Sequence, residues 1–230
     1  MSQIRPFEVT QTEIEERTFI SQVYLWMASA LVVTAIVAAA VANDTRFVVS
    51  MVSGGLFWVF VIGELGLVLA LGALIRRMSA TVATVMFFAY AALNGVTLSL
   101  IFLVYTDASI ASTFMITAFT FGAMSIYGYT TKRDLTTVGN LLAMGLLGFL
   151  IASIVNLFLR SEAIYWITTY IGIVIFVGLT AYDTQKIKRL ASGGVDNEVA
   201  RKASILGALT LYLDFVNLFL LLLRLFGRRR

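Results

Sequence analysis

The chain contains no cysteine and no histidine. Disulfides, thiolate nucleophiles, imidazole metal sites and Ser-His chemistry are therefore excluded, since each needs one of those side chains. Titration is left to carboxylates, Lys, Arg and Tyr. Charge is also scarce: 13% of the 230 residues are Asp, Glu, Lys or Arg, against 60% hydrophobic, and the mean hydropathy is +0.91. A soluble domain carries about 25% charged residues, so the chain reads as an integral membrane protein. Proline occurs once, which leaves long helices unbroken, and the strict polar/apolar alternation of an outer-membrane barrel is missing. The predicted class is all-α and polytopic, with 17 glycines available for close helix packing. The net charge of +4 comes mainly from Lys and Arg in loops and termini, which set orientation in a membrane protein. No nucleic-acid signature accompanies it.

Residues 1–19 are polar, with Glu8, Glu13, Glu15 and Glu16 against Arg5 and Arg17. They lack the basic start and short apolar core of a secretory signal and read as a cytosolic arm ahead of a single membrane domain, 20–230. Seven spans are predicted, at about 20–42, 47–75, 80–105, 108–131, 136–159, 163–187 and 203–226. The second exceeds the ~20 residues a bilayer needs, so it is tilted or begins with a turn at Gly54-Gly55. Gly145 and Gly148 are expected to bring the fifth span close to a neighbour, and Asn94 and Asn156 to bond between helices. Tyr165 and Trp166 mark an interfacial belt at the start of the sixth span, whereas Trp58 falls inside the second run and departs from that rule.

The distribution of Lys and Arg favours a cytoplasmic amino terminus. Arg5, Arg17, Arg76, Arg77, Lys132, Arg133, Lys186, Lys188, Arg189, Arg201 and Lys202 then lie inside, and Arg46 and Arg160 outside. Seven spans put Arg224 and Arg228 to Arg230 outside, against the rule. The tail is then a tolerated exception, or the last segment is re-entrant; its full spanning length favours seven crossings.

Two carboxylates stand in consecutive apolar runs: Asp183 in FVGLTAYDTQKIK and Asp214 in LTLYLDFVNLFLLLLRLF. An acid in hydrocarbon costs ~2.5 to 3.5 kcal/mol on insertion scales, which calls for a reason. With a cytoplasmic amino terminus both enter from one side, Asp183 about two turns from the helix end and Asp214 nearer mid-membrane, so contact requires tilt. A pair that meets cannot ionise fully at low cost; it shares a proton, titrates in two separated steps and senses pH. Ca²⁺ would compete for the same oxygens, but it takes about six to eight ligands, so binding is weak and falls as pH drops unless Asn217, carbonyls or water help. No tightly bound cofactor is expected. Asn217, three residues after Asp214, shares its helix face. The alternative is that Asp214 and Asn217 make structural bonds to neighbouring helices, while Asp183 snorkels or pairs with Lys186. Glu64, in the second run, has no sequence-local cation and is either protonated or part of an ion path. Arg76 or Arg77 can bridge two carboxylates as a latch, or serve only as a positive-inside anchor.

FVGLTAYDTQKIK and SILGALTLYLDFVNLFLLLLRLFG resemble the signature helices of the Bax inhibitor-1 family, the transmembrane Bax inhibitor motif proteins, and GAMSIYGYTTKRDL resembles its bacterial YccA-like inner-membrane branch. The likeness runs from Ile20 onward. It implies a seven-helix fold with the last helix central, surrounded by the other six. It also implies a pH-sensitive calcium leak in the inner membrane, with Asp183 and Asp214 as sensor, Arg76 or Arg77 as latch and Glu64 lining the path. The basic tail that eukaryotic relatives tie to pH response is reduced here to Arg228 to Arg230. The expectation is a cation leak rather than an enzyme, with the bilayer, calcium ions and protons as its partners. A non-transporting protein that modulates a membrane protease is the alternative that the YccA-like branch implies. An intramembrane aspartyl protease is more distant: Tyr182-Asp183 and Asp214 look like its dyad, but Leu211-Tyr212-Leu213-Asp214 lacks the glycine-bearing motif of that family.

Overall fold

A computed structural model describes residues 6–191 and 197–230. Among them the regular elements are helices: α1 (Pro6–Ala42), α2 (Thr45–Ser53), α3 (Leu56–Leu74), α4 (Ala80–Leu98), α5 (Ile101–Val104), α6 (Asp107–Thr130), α7 (Thr136–Leu159), α8 (Glu162–Ala191) and α9 (Asn197–Phe226). Seven helical stretches are long and apolar enough to cross a membrane, as the hydropathy predicts. Residues 192–196 of the polar loop before α9 lie outside the described residues, as do the first five of the amino-terminal arm. The rest of that arm is helical and runs without a break into the first span as α1.

The second apolar run divides where its sequence allows. Gly55 adopts φ 77, a left-handed conformation that costs other residues more, and it separates α2 from α3. Asp44 caps α2 by accepting from the Phe47 N–H at 3.0 Å. The spanning helix therefore starts at Leu56, and Trp58 sits in its first turn. Trp58, expected inside the second span, is placed instead near a helix start by the Gly54-Gly55 break. The third run pauses at Ser99 and Leu100 before continuing as α5.

The chain forms two compact units, with α8 passing from one to the other after Lys186 and α9 after Tyr212. In the first unit α4 packs against α1 and α3. Gly95 is needed there, because a Cβ would stand 2.7 Å from the Thr34 carbonyl oxygen. In the second unit, apolar side chains of α8 (Ile175, Phe176, Leu179) and α9 (Leu218, Leu221, Leu222) form one buried cluster. Phe215 of α9 receives the edges of Phe114 and Phe121 from α6, at 5.3 and 5.4 Å between centroids.

Close approach in this unit uses other glycines than expected. A Cβ on Gly148 would meet nothing within 4 Å, and one on Gly145 would make ordinary contact with Ile175 at 3.4 Å. Tight positions include Gly128 of α6, set against the Ala181 backbone, Gly139 of α7, covered by the Tyr182 ring, and Gly178 of α8, set against Leu142 of α7.

Burial is unequal along the sequence. Within its most apolar stretch α9 is 72% buried, more than any other spanning helix, while α7 is 0% buried. In hydrocarbon an exposed Leu or Phe is not penalised, so apolarity alone does not mark the interior. The carboxyl terminus is fastened: the Thr106 N–H donates to the Arg228 carbonyl at 3.0 Å, the Arg230 N–H donates to the Val104 carbonyl at 2.9 Å, and the Arg230 guanidinium pairs with Asp107 at 2.8 Å. The tail thus lies beside the α5–α6 link. α9, with 30 residues and ~45 Å long at 1.5 Å per residue, is continuous and long enough for one full crossing. Asp107 offsets one of the arginines that seemed misplaced.

Candidate functional site

The seam between α8 and α9 explains how the two aspartates meet. Ile175, Leu179 and Asp183 follow one another at intervals of four on α8, as do Leu222, Leu218 and Asp214 in reverse on α9, and the apolar members belong to one cluster. The helix-face rule places residues at that spacing in line. Asp183 and Asp214 extend the antiparallel seam by one turn, which brings the two carboxyl groups within reach of each other's charge. The register comes from the apolar packing below them, not from their distances to the helix ends.

Both carboxyl groups are withdrawn from solvent, with 8% and 4% of their residue surfaces exposed. Asp214 Oδ2 is buried, and among the described residues no N–H or hydroxyl donates to it. A carboxylate only accepts, so two carboxyl groups can bond each other only when one carries a proton. Such an arrangement can hold one proton between two acids. Lys186, one turn beyond Asp183, acts on it electrostatically from an exposed position.

The surrounding helices hold this geometry. Ala181 and Tyr182, immediately before Asp183, are the residues that meet Gly128 and Gly139. Two residues after it, buried Gln185 accepts from the Leu135 N–H at 2.9 Å and donates to the Arg133 carbonyl at 2.8 Å, which ties α8 to the α6–α7 link. Gln185 carries no assignment from the sequence. A glutamine before a basic helix end reads as surface, and its role depends on a loop fifty residues away.

Asn217 uses its amide differently from the expectation: Nδ2 donates to the Leu213 carbonyl of its own helix at 2.8 Å. Arg76 and Arg77 are exposed in the turn that follows α3, in the first unit. Among the described residues no group of three or more acidic side chains could cage a metal ion. Two carboxyl groups fall short of the about six to eight oxygens that Ca²⁺ takes.

Glu64 belongs to a separate polar chain inside the first unit. Thr97 donates to its Oε1 at 2.8 Å and Asn94 Nδ2 to its Oε2 at 3.3 Å. Tyr212 in turn donates to Asn94 Oδ1 at 3.1 Å, with the Thr34 hydroxyl 2.7 Å from the Tyr212 oxygen. Asn94 thus bonds between helices as predicted, whereas Asn156 does not: its Oδ1 accepts the Ser161 N–H at 2.9 Å and closes the end of α7. Tyr212 is a residue that sequence reasoning passes over. The signal was present, because a phenol in an apolar helix must find a partner. Tyr212→Phe removes a donor from Asn94 and should cost about 1 to 2 kcal/mol, read as a lower midpoint of unfolding in detergent, with no effect on the aspartate pair.

Comparison with known proteins agrees with this architecture. The family described as Bax1-I, Inhibitor of apoptosis-promoting Bax1, matches residues 16–230. The chain is 52% identical over 229 residues to the Inner membrane protein YbhL of Escherichia coli (strain K12), covering 98% of both chains. It is 45% identical over 214 residues to an uncharacterised protein of Rickettsia prowazekii, covering 93% of this chain and 91% of that one. With an uncharacterised protein of Borreliella burgdorferi it shares 42% identity over 228 residues, 97% of this chain and 98% of the other.

Proposed function

The chain belongs to the Bax inhibitor-1 family, and from that premise we propose that it is a multi-pass inner-membrane protein that leaks cations, calcium foremost, under the control of pH. The observation that carries the reading is that Asp183 and Asp214 are both buried and continue the α8–α9 seam on the same side. While one proton joins the pair, α8 and α9 are held together beyond their apolar seam. Loss of that proton leaves two facing carboxylates and shifts the packing toward a conducting arrangement, with an arginine of the Arg76-Arg77 turn acting as the latch and Glu64 lining the route. Calcium competes with protons for the same oxygens, so its apparent affinity falls as pH drops. The amino terminus is cytoplasmic in this reading, in line with the positive-inside rule.

Calcium entry into proteoliposomes, followed with a trapped indicator across a pH series, tests the proposal. The reading expects flux that depends on pH; flux absent from purified protein at every pH contradicts it. The narrower YccA-like placement, supported by GAMSIYGYTTKRDL, carries the second reading of a membrane-protease modulator. Co-purification of a protease, with function surviving loss of both aspartates, would favour that reading.

A further inference from the structure

A cleft of about 980 Å³ lies in the second unit where the end of α7, the start of α8 and the last turn of α9 converge. Its volume is that of a site for a sizeable ligand. Three arginines line it, Arg160, Arg224 and Arg229, together with one carboxylate, Glu162. Among the described residues none of the three arginines is ion-paired. The contrast with Arg230, paired to Asp107 at 2.8 Å, shows that this end of the protein carries surplus positive charge within the cleft.

The arginines are placed rather than scattered. Arg160 takes φ 50, the left-handed conformation that ends α7. The Arg224 guanidinium lies 4.6 Å from the centroid of the Tyr165 ring, and Arg229 donates to the Tyr165 hydroxyl at 3.5 Å. One tyrosine thus organises two guanidiniums. Guanidinium groups bind phosphate through paired N–H donors and give up water more readily than ammonium. The remaining wall is mixed: Ser153, Asn156, Ser161 and Thr168 are polar, while Phe149 and Leu157 from α7 and Trp166 from α8 give it an apolar strip. Tyr and Trp are enriched at the depth of lipid headgroups.

We propose that this cleft binds an anionic phospholipid, its phosphate between Arg160, Arg224 and Arg229 and an acyl chain along Phe149 and Leu157. The arginine cluster alone would serve a soluble phosphate equally well. The apolar strip of Phe149 and Leu157, on a helix whose apolar stretch is 0% buried, selects the lipid. The site is independent of the aspartate pair and of ion conduction.

Trp166 reports on it directly. With Trp26 and Trp58 changed to Phe it becomes the sole tryptophan of the three in the chain. The protein is reconstituted in phosphatidylcholine vesicles containing phosphatidylglycerol or phosphatidylcholine with brominated acyl chains, and quenching of Trp166 is measured. Phosphatidylglycerol should quench at lower mole fraction, by roughly fivefold for each arginine engaged. Salt should weaken the preference. Arg160→Gln with Arg229→Gln should remove most of it, and Glu162→Gln, which deletes the one acid lining the cleft, should strengthen it. Glycerol phosphate in solution should not relieve the quenching. Equal quenching by the two lipids, a preference untouched by both sets of variants, or relief of quenching by glycerol phosphate would overturn the proposal.

Discussion

Asp214→Asn should flatten the pH response of calcium flux. A conformational equilibrium linked to one proton shifts by up to tenfold per pH unit, about 1.4 kcal/mol, and that sensitivity disappears when the proton has no second carboxyl group to share it. Asp183→Asn should have the same effect, and the double variant should lose no more than either single one, since a shared proton makes the two changes non-additive. Asparagine at position 214 still donates to Asp183, so folding survives and the loss is specific to titration. Asp214→Leu, by contrast, leaves the buried Asp183 carboxyl without its partner and should destabilise the protein by about 1 to 3 kcal/mol. Flux recorded across a pH series in proteoliposomes, with thermal melts in parallel, separates the two outcomes. A structural role for the aspartates predicts altered melts with the pH response intact.

The second large effect is expected at Gly128. A Cβ at that position would collide with the Ala181 backbone, which cannot rotate away as a side chain can. α6 must then move from α8, immediately next to Asp183. Overpacking a tight contact costs about 1 to 3 kcal/mol where side chains can adjust, so Gly128→Val should exceed that range and lower the yield of folded protein. Gly148→Ala is the control: nothing lies within 4 Å of the added atom, and stability should not fall by more than about 0.5 kcal/mol. Gly128→Ala that melts like the parent protein would contradict the close contact.

The helices themselves were legible because hydrocarbon demands about twenty apolar residues per crossing and satisfies the backbone within each helix. The caps and breaks were legible where local chemistry decides them, as at Asp44 and Gly55. What could not be read is which face of each span turns inward. Within α7 the close approach falls at Gly139 rather than at Gly145 or Gly148, and on α6 at Gly128; their partners Tyr182 and Ala181 lie more than forty residues away. The aspartates were recognisable because an intramembrane acid is costly wherever it stands. Their register was not, since it follows from the seam of Leu179 and Leu218 rather than from helix ends. Glu64 illustrates the same limit: its donors, Asn94 and Thr97, are thirty and more residues distant, so it has partners that no local pattern shows.

The central claim is that Asp183 and Asp214 hold a single proton between them. Infrared difference spectroscopy of the protein in bilayers, recorded across a pH titration, reads a protonated carboxyl group directly. A protonated-carboxyl band belonging to the pair should appear in the parent protein, and it should be lost or shifted in both Asp183→Asn and Asp214→Asn. Two bands that titrate independently, each removed by one variant and untouched by the other, would show that the carboxyl groups do not share a proton.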